Sequence, residues 1–184
     1  MGSDMSGDAG SILDFWFREI GADHWWTRSD ATDETIRTRF LPLWEEWRHL
    51  SAESFLTTPL DALAAVLLFD QFSRNMFRGE ARAFATDGLA LAIAEAAVDR
   101  GFDHALTKDE RVFLYMPFMH AEDLAKQDRC LALFEALGRP EQVRYAREHR
   151  AIIARHGRFP ARNAALGRET RPEEREAIES SQNW

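Results

Sequence analysis

The amino-acid sequence predicts an all-α protein, on three observations. Apolar residues recur at spacings of three and four along most of the chain, which is the period of a helix. Capping residues or prolines precede these segments, and glycines follow them. No stretch alternates apolar and polar residues in the manner of a strand, and no Asn-Gly or Asp-Gly turn joins two apolar runs. A β-sheet therefore has no support in the sequence.

The size and composition are those of an ordinary globular chain. Its 184 residues, 45% apolar and 29% charged, suit one domain, which we expect over 11–176. A disordered leader (1–10) and a frayed tail (177–184) should flank it. The leader has no basic region or apolar core of a signal peptide, and the longest apolar run, Ala62 to Phe69, is far too short to span a membrane. We expect a cytoplasmic protein of bacterial type.

Charge and cysteine content exclude several kinds of protein. The formal net charge of −8 argues against a general nucleic-acid binder, which needs a basic surface. Cys130 is the single cysteine, so no disulfide can form within the chain. It lies in a predicted helix, where a small buried residue is a better interpretation than a reactive thiol.

The first two helices are predicted near the N-terminus. Ser11, with an acidic residue three positions later, should cap the first helix, which ends at Gly21. The segment Asp30 to Thr32 should cap the second. Pro42 lies inside the apolar stripe of this second helix, so we expect a kink or a break there.

The third helix carries the most distinctive stretch of the chain. Thr58 should cap it, Pro59 suits its first position, and Gly79 ends it. Leu60 begins the apolar face of this helix, which we expect to lie in the core. Further along, polar residues are placed among large apolar ones, so they should be part-buried and need partners. Several pairs of them are four apart and share a helix face. The polar residues are Asp70, Gln71, Arg74, Asn75 and Arg78.

Further helices follow to the C-terminus. Thr86-Asp87 opens the fourth, which Gly101 ends, and Thr107 begins a full capping box. We expect Pro117 to interrupt that helix with a kink that turns the next polar residues inward. The chain then resumes as a helix through Leu124.

The last part of the chain predicts two longer helices and a short one. The resumed helix stops at Gly138, Pro140 starts another that ends at Gly157, and Thr170 caps a short exposed helix. Between the last two lies a loop with two arginines and an asparagine: Arg158, Arg162 and Asn163.

Two interpretations of the arginine-rich residues stay open. The guanidinium groups of Arg74, Arg78, Arg158 and Arg162 could line a pocket for an anionic ligand such as a phosphate or carboxylate. Alternatively, they form a structural network of ion pairs that fixes the C-terminal loop to the central helix. Four carboxylates are available as partners: Asp70, Asp87, Glu122 and Asp123.

The histidines also allow both a functional and a structural interpretation. His120 with Glu122 and Asp123, joined by His149, could act as an acid–base group or bind a metal, although the favoured interpretation is a hydrogen-bonded histidine at the kink. The remaining histidines should face solvent: His24, His49, His104 and His156. No metal or cofactor motif is present, so none is expected.

Four motifs in order resemble a known family. They are Phe69-Asp70-Gln71-Phe72-Ser73-Arg74-Asn75 with Phe77-Arg78-Gly79, Ala83-Phe84-Ala85-Thr86-Asp87, Pro117-Phe118-Met119-His120-Ala121-Glu122-Asp123, and Gly157-Arg158-Phe159-Pro160-Ala161-Arg162-Asn163. From about Ile12 to Glu174 the chain is similar to a bacterial uncharacterised family, domain of unknown function 924. The resemblance implies antiparallel helix pairs like those of the tetratricopeptide-repeat superfamily, and no established activity, cofactor or substrate.

Three positions depart from the family pattern. Ser73 stands where the family usually has proline, Ala121 where it has serine, and Ala161 where it has histidine. A reaction that needed that hydroxyl or imidazole could not proceed here in the same way.

These observations favour a binding protein for a small anionic ligand or a protein partner. The polar residues should converge where the central helix, the Pro117 kink and the Arg158 loop meet. The alternative is a small metal-independent hydrolase or lyase with His120 and Glu122 as acid and base.

Overall fold

The computed structural model describes residues 5–181, and throughout this range the regular elements are helical, as predicted. The α-helices are α1 (Met5–Asp14), α2 (Asp30–Trp47), α3 (Pro59–Val66), α4 (Ser73–Met76), α5 (Asp87–Asp99), α6 (Lys108–His120), α7 (Leu124–Leu137), α8 (Pro140–His156) and α9 (Arg175–Ser181). Two π-helices cover Phe15–Ile20 and Leu67–Phe72. Short 3-10 helices cover Ala52–Phe55, Ala81–Phe84, Phe102–Ala105, Pro160–Arg162 and Pro172–Glu174.

The chain divides into two compact units. Unit 1 comprises residues 1–78 and 82–117, and unit 2 comprises 79–81 and 118–184. A single domain over 11–176 and the tetratricopeptide-like pairing of helices stay predictions.

Unit 1 is built around an aromatic core. Its α1 packs on α3, α3 packs on α5, and α2 packs on α4. Phe15, Phe40 and Phe72 contact one another with ring centroids 4.9–5.8 Å apart, and all three are buried. Trp44 and Trp47 on α2 are also buried, so the core of this unit is largely made of aromatic side chains.

Unit 2 contains a helical hairpin and an irregular C-terminal segment. The two helices α7 and α8 are joined by only two residues and pack against each other. Their buried contacts include Phe134, Ala146 and Ile153. Gly138 and Gly157 end the two helices with φ near +70°, a left-handed conformation that glycine adopts without strain.

The N-terminal helix begins earlier than predicted. Residues 5–10 belong to α1, so the expectation of a disordered leader is wrong for them, whereas 1–4 lie outside the described residues. Ser11 is not a cap: its hydroxyl donates to the carbonyl of Gly7 within the helix. The physical reason is packing, because Ala9 and Ile12 are buried on one helix face and stabilise the turn before Ser11.

Local start signals predicted several other boundaries correctly. Thr58 accepts the N–H of Asp61, and Thr107 and Glu110 exchange the two bonds of a capping box. The cap of α2 is Ser29 rather than the Asp30 to Thr32 segment. Its side-chain oxygen reaches the N–H three residues later, which is the usual capping geometry.

Two internal prolines do not break their helices. Pro42 lies within α2, and Pro117 lies within α6, which ends three residues later at His120. A break at Pro42 and an end of the helix at Pro117 are therefore wrong, whereas a kink at either proline stays a prediction. Tertiary packing stabilises both helices across their prolines, since each buries apolar side chains, which include Trp44 on α2 and Phe118 on α6.

Two expectations about exposure and one about the C-terminal tail also need correction. Leu60 was expected in the core but is 47% exposed, whereas His156 was expected in solvent and is buried. His156 is at the end of α8, where it lines a surface depression together with Ile152 and with Ala177 of α9. Residues 177–181 are helical rather than frayed because α9 packs on the Pro160–Arg162 turn; 182–184 lie outside the described residues.

Cys130 is buried on α7, as expected, and burial raises the pKa of its thiol far above the ordinary value. Between residues 5 and 181, no helix has the length and apolar character required to cross a membrane.

Candidate functional site

The predicted site residues are divided between the two units. Unit 1 holds Asp70, Gln71, Arg74, Asn75 and Arg78. Unit 2 holds His120, Glu122, Asp123, Arg158, Arg162 and Asn163. Each set is described within its own unit, and a single site formed from both stays a prediction.

In unit 1 the central stretch is π-helical where the polar residues begin. Asp70, fully buried, lies in the π-helix Leu67–Phe72, and Arg74 lies one turn later in α4. The Arg74 guanidinium makes two bonds to Asp87, at 2.9 and 3.0 Å, and is 3.2 Å from a carboxylate oxygen of Asp70. Desolvation alone would lower the pKa of Arg74, but the charges of Asp70 and Asp87 raise it above its ordinary value.

The π-helix also leaves its carbonyl oxygens available to side chains. The carbonyl of Phe69 accepts the hydroxyls of Ser73 and Thr86 at 2.6 and 2.7 Å. The Thr86 hydroxyl in turn accepts the indole N–H of Trp44. Ser73 thus has a definite role: its hydroxyl satisfies a buried backbone acceptor.

Asn75 and Arg78 have a separate partner. Both donate to Asp33 in the first turn of α2, Asn75 at 2.7 Å and Arg78 at 2.8 and 2.9 Å. These bonds join the start of α2 to the end of the central stretch. Gln71 donates to the carboxylate of Asp70. In unit 1 these side chains therefore form a network of ion pairs and hydrogen bonds, and a ligand-binding role for them stays a prediction.

In unit 2, Glu122 organises the segment that follows α8. It accepts the backbone N–H of Phe159 at 2.7 Å and two bonds from Arg168 at 2.7 and 3.0 Å. Desolvation would raise the pKa of Glu122, but the bonds from Arg168 and Phe159 and the charges of Arg168 and Arg162 lower it below its ordinary value. Asp123 caps α7 by accepting the N–H of Lys126.

Arg158 and Asn163 meet at a second carboxylate, the fully buried Glu174. Arg158 donates to both of its oxygens at 2.7 and 2.8 Å, and Asn163 donates at 3.0 Å. The backbone N–H of Arg171 adds a fourth bond. The Arg158 bonds, against the opposing effect of desolvation, lower the pKa of Glu174 to about 2.

A different arrangement surrounds Arg162. Its guanidinium donates to the carbonyl of His120 at 2.9 Å and lies over the ring of Phe159, 4.6 Å from the centroid. The rings of His120 and His149 are 6.4 Å apart, and the His149 ring meets the edge of Phe159 at 5.5 Å. We call His120, His149, Phe159 and Arg162 the histidine–arginine cluster.

Sequence reasoning missed three residues that organise these networks. Asp33 and Glu174 both lie in short or initial helical turns, where an acidic residue is favoured by the helix dipole. Their positions therefore matched a local capping signal, but nothing in the sequence indicated their distant arginine partners. Arg168 directly follows the turn over 163–167 and has no sequence signal of its own.

The predicted site residues do not line either of the two surface depressions described below. Between residues 5 and 181, no three His, Cys, Asp or Glu residues are grouped so as to hold a metal ion. Two surface depressions, of about 470 and 240 Å³, are lined by other residues. One lies beside α1 and α2, and the other lies beside α8 and α9.

Comparison with known proteins gives two findings. The model of a bacterial family described as a "protein of unknown function (DUF924)" matches residues 12–182. The solved structure of ATU0120, a protein of unknown function from Agrobacterium tumefaciens, has a TM-score of 0.89 and 43% sequence identity, over 96% of this chain and 99% of that one. No curated protein matches.

Proposed function

Since the chain belongs to the bacterial family of unknown function DUF924, we propose a function from its geometry: it binds a small anionic ligand at the histidine–arginine cluster of unit 2. The observation that carries this proposal is that Phe159 contacts both the guanidinium of Arg162 and the ring of His149, which lies 6.4 Å from the ring of His120. Guanidinium and imidazole groups are the usual donors to phosphate and carboxylate oxygens.

The arginines of this segment are held in fixed orientations. Arg158 and Arg168 are each bound in bidentate fashion by a carboxylate, Glu174 and Glu122 respectively. Arg162 donates to the carbonyl of His120, and its guanidinium lies over the ring of Phe159. A guanidinium held in a fixed orientation is suited to the recognition of an oxyanion.

His149 is oriented in a similar way. Its Nδ1 is 2.8 Å from the carbonyl oxygen of Tyr145. Because a carbonyl can only accept, Nδ1 carries the proton, and this bond fixes the orientation of the ring. Positioning of a histidine through one ring nitrogen is common in binding sites.

The alternative enzyme, with His120 and Glu122 as acid and base, has weaker support. Glu122 accepts three hydrogen bonds, and its pKa is lowered. An effective general acid or base at neutral pH needs a pKa nearer to the working pH. We therefore favour binding over catalysis for this cluster.

A thermal-shift titration tests the proposal. The purified chain is titrated with inorganic phosphate, sulfate, acetate and a set of sugar phosphates and nucleotides. An anion at a hundred times its dissociation constant should stabilise the chain by about 2.7 kcal/mol, which corresponds to roughly 5–10 °C for a protein of this size.

Two variants and a control locate any binding. Arg162→Gln and His149→Gln should each weaken binding about tenfold or more, since glutamine cannot carry the positive charge of a guanidinium or of a protonated imidazole. Arg144→Gln is the control, because Arg144 is an exposed arginine on the same helix as His149. The proposal is wrong if no anion raises the melting temperature, or if both variants bind as the control does.

A further inference from the structure

The smaller of the two surface depressions belongs to unit 2 and is lined by residues of α8 and α9. It measures about 240 Å³, which is below the range of drug-sized ligand sites and suits a small metabolite. Ala151, Ile152 and Ala177 supply its apolar part. We call these residues, together with Arg155, His156 and Glu176, the α8–α9 pocket.

His156 brings a hydrogen-bonding group to this pocket. The residue lines the pocket and is only 7% exposed. In the part of the chain that the structure describes, neither of its ring nitrogens makes a hydrogen bond, although most buried polar groups are paired. A buried imidazole without a protein partner at the wall of a pocket is placed to bind a ligand.

Arg155 and Glu176 add opposite charges on the exposed side of the pocket. Their side chains are 63% and 79% exposed, and the guanidinium nitrogen lies 3.8 Å from the carboxylate oxygen, which is too long for a hydrogen bond. Neither side chain has another polar partner among residues 5–181. Such an exposed pair contributes little to stability, so both groups keep their capacity to bind a ligand.

A cation and a carboxylate side by side restrict the charge of the ligand. A simple anion would meet Arg155 favourably and Glu176 unfavourably, and a simple cation would meet the reverse. An α-amino acid carries its ammonium and its carboxylate on the same carbon atom, so each charge meets an opposite one. An aliphatic side chain on that carbon would pack on the apolar part of the pocket.

We infer that the α8–α9 pocket binds a small aliphatic α-amino acid. Arg155 and the ring N–H of His156 donate to the carboxylate of the ligand, and Glu176 accepts from its ammonium group. The aliphatic side chain contacts Ile152 and the two alanines. None of these residues belongs to the histidine–arginine cluster, so the inference does not depend on anion binding there.

The test is isothermal titration calorimetry of the full chain with L-leucine and two analogues that each lack one charge. The compound 4-methylpentanoate lacks the ammonium group, and 3-methylbutylamine lacks the carboxylate. Leucine should bind, and each analogue should bind at least about tenfold more weakly, because it leaves one charged group of the pocket without a partner.

Charge-removing variants with matched controls place the binding at this pocket. Arg155→Gln and Glu176→Gln should each weaken leucine binding about tenfold. Arg147→Gln and Glu179→Gln are the controls, because Arg147 is an exposed arginine of α8 and Glu179 an exposed glutamate of α9, and neither lines the pocket. Both controls should bind leucine as the unmodified chain does.

Two further measurements examine the imidazole and separate this pocket from the histidine–arginine cluster. His156→Phe keeps a ring at this position but removes both nitrogens, so it should weaken leucine binding while thermal melting confirms that the chain remains folded. Inorganic phosphate, added at constant ionic strength, should not displace leucine, because a simple anion meets Glu176 in this pocket.

Four outcomes overturn the inference. The first is the absence of leucine binding. The second is binding of either analogue as tight as that of leucine, which would mean that the two charges do not act together. The third is leucine binding by Arg155→Gln and Glu176→Gln equal to that of their controls. The fourth is displacement of leucine by phosphate, which would place the amino acid at an anion site instead.

Discussion

In unit 1, Arg74 binds Asp87 between two regular helical segments, whereas in unit 2 Arg158 binds Glu174 at the two ends of an irregular loop. The helices of unit 1 already bury an extensive aromatic core. The loop between α8 and α9 has two short 3-10 turns, and Phe159 is its largest buried side chain.

This difference shows that an arginine–carboxylate pair can stabilise either a whole helical unit or a single loop. Loss of a pair inside a cooperative core should lower the free energy of unfolding of the whole unit. Loss of a pair that holds a loop should raise local opening while the helices persist. Four predictions test this comparison, from the largest expected effect to the smallest.

The largest effect is expected for Arg74→Ala in unit 1. It leaves the buried carboxylate of Asp70 without its guanidinium partner, and loss of one member of a buried pair costs about 3–5 kcal/mol. Urea denaturation measures the free energy of unfolding. Arg18→Ala is the control, because its pair with Asp14 is exposed and should contribute less than about 1 kcal/mol. A loss below about 0.5 kcal/mol for Arg74→Ala would contradict the buried network.

Glu174→Gln should act locally in unit 2. The substitution keeps the size of the side chain but removes the charge that binds Arg158 in bidentate fashion. Hydrogen exchange should become faster in residues 158–174, with little change in the hairpin of α7 and α8. Glu173→Gln, at an exposed neighbouring position, is the matched control. Uniformly faster exchange across the unit would show that the loop and the hairpin unfold together.

Acid should release the same loop over a defined pH range. The pKa of Glu174 is lowered to about 2 from an ordinary value of 4.5, so its contribution is fully present above pH 4.5. It is lost as the pH falls from 4.5 toward 2, and the lowered pKa of Glu122 acts in the same direction. Limited proteolysis with pepsin across this range should show earlier cleavage in 158–174. Glu174→Gln should reduce this pH dependence, and an unchanged profile would contradict the assignment.

The smallest effect is expected at Cys130, in the regular part of unit 2. Its thiol is buried and its pKa is raised, so a thiol reagent at pH 8 should label it only after denaturation. Cys130→Ala should keep the fold, at a cost of about 1 kcal/mol for the lost buried sulfur. Rapid labelling of the native chain would show that the α7–α8 hairpin opens as readily as the loop.

The sequence by itself determined the helical class and many helix boundaries. Thr58 and Thr107 cap their helices as predicted, and Gly138 and Gly157 end theirs, because these effects depend on bonds between residues close in the chain. Burial of Cys130 also followed from its place in an apolar helical pattern.

Only the tertiary structure decided which charged groups pair. Asp33 is 45 residues from Arg78, and Glu122 is 46 residues from Arg168, so no local pattern indicates these partners. The early start of α1 has the same explanation, since the burial of Ala9 depends on packing. Capping hydrogen bonds join residues three or four positions apart, so a local sequence pattern predicts them. Ion pairs and burial depend on elements far apart in sequence, and these meet only after the chain has folded.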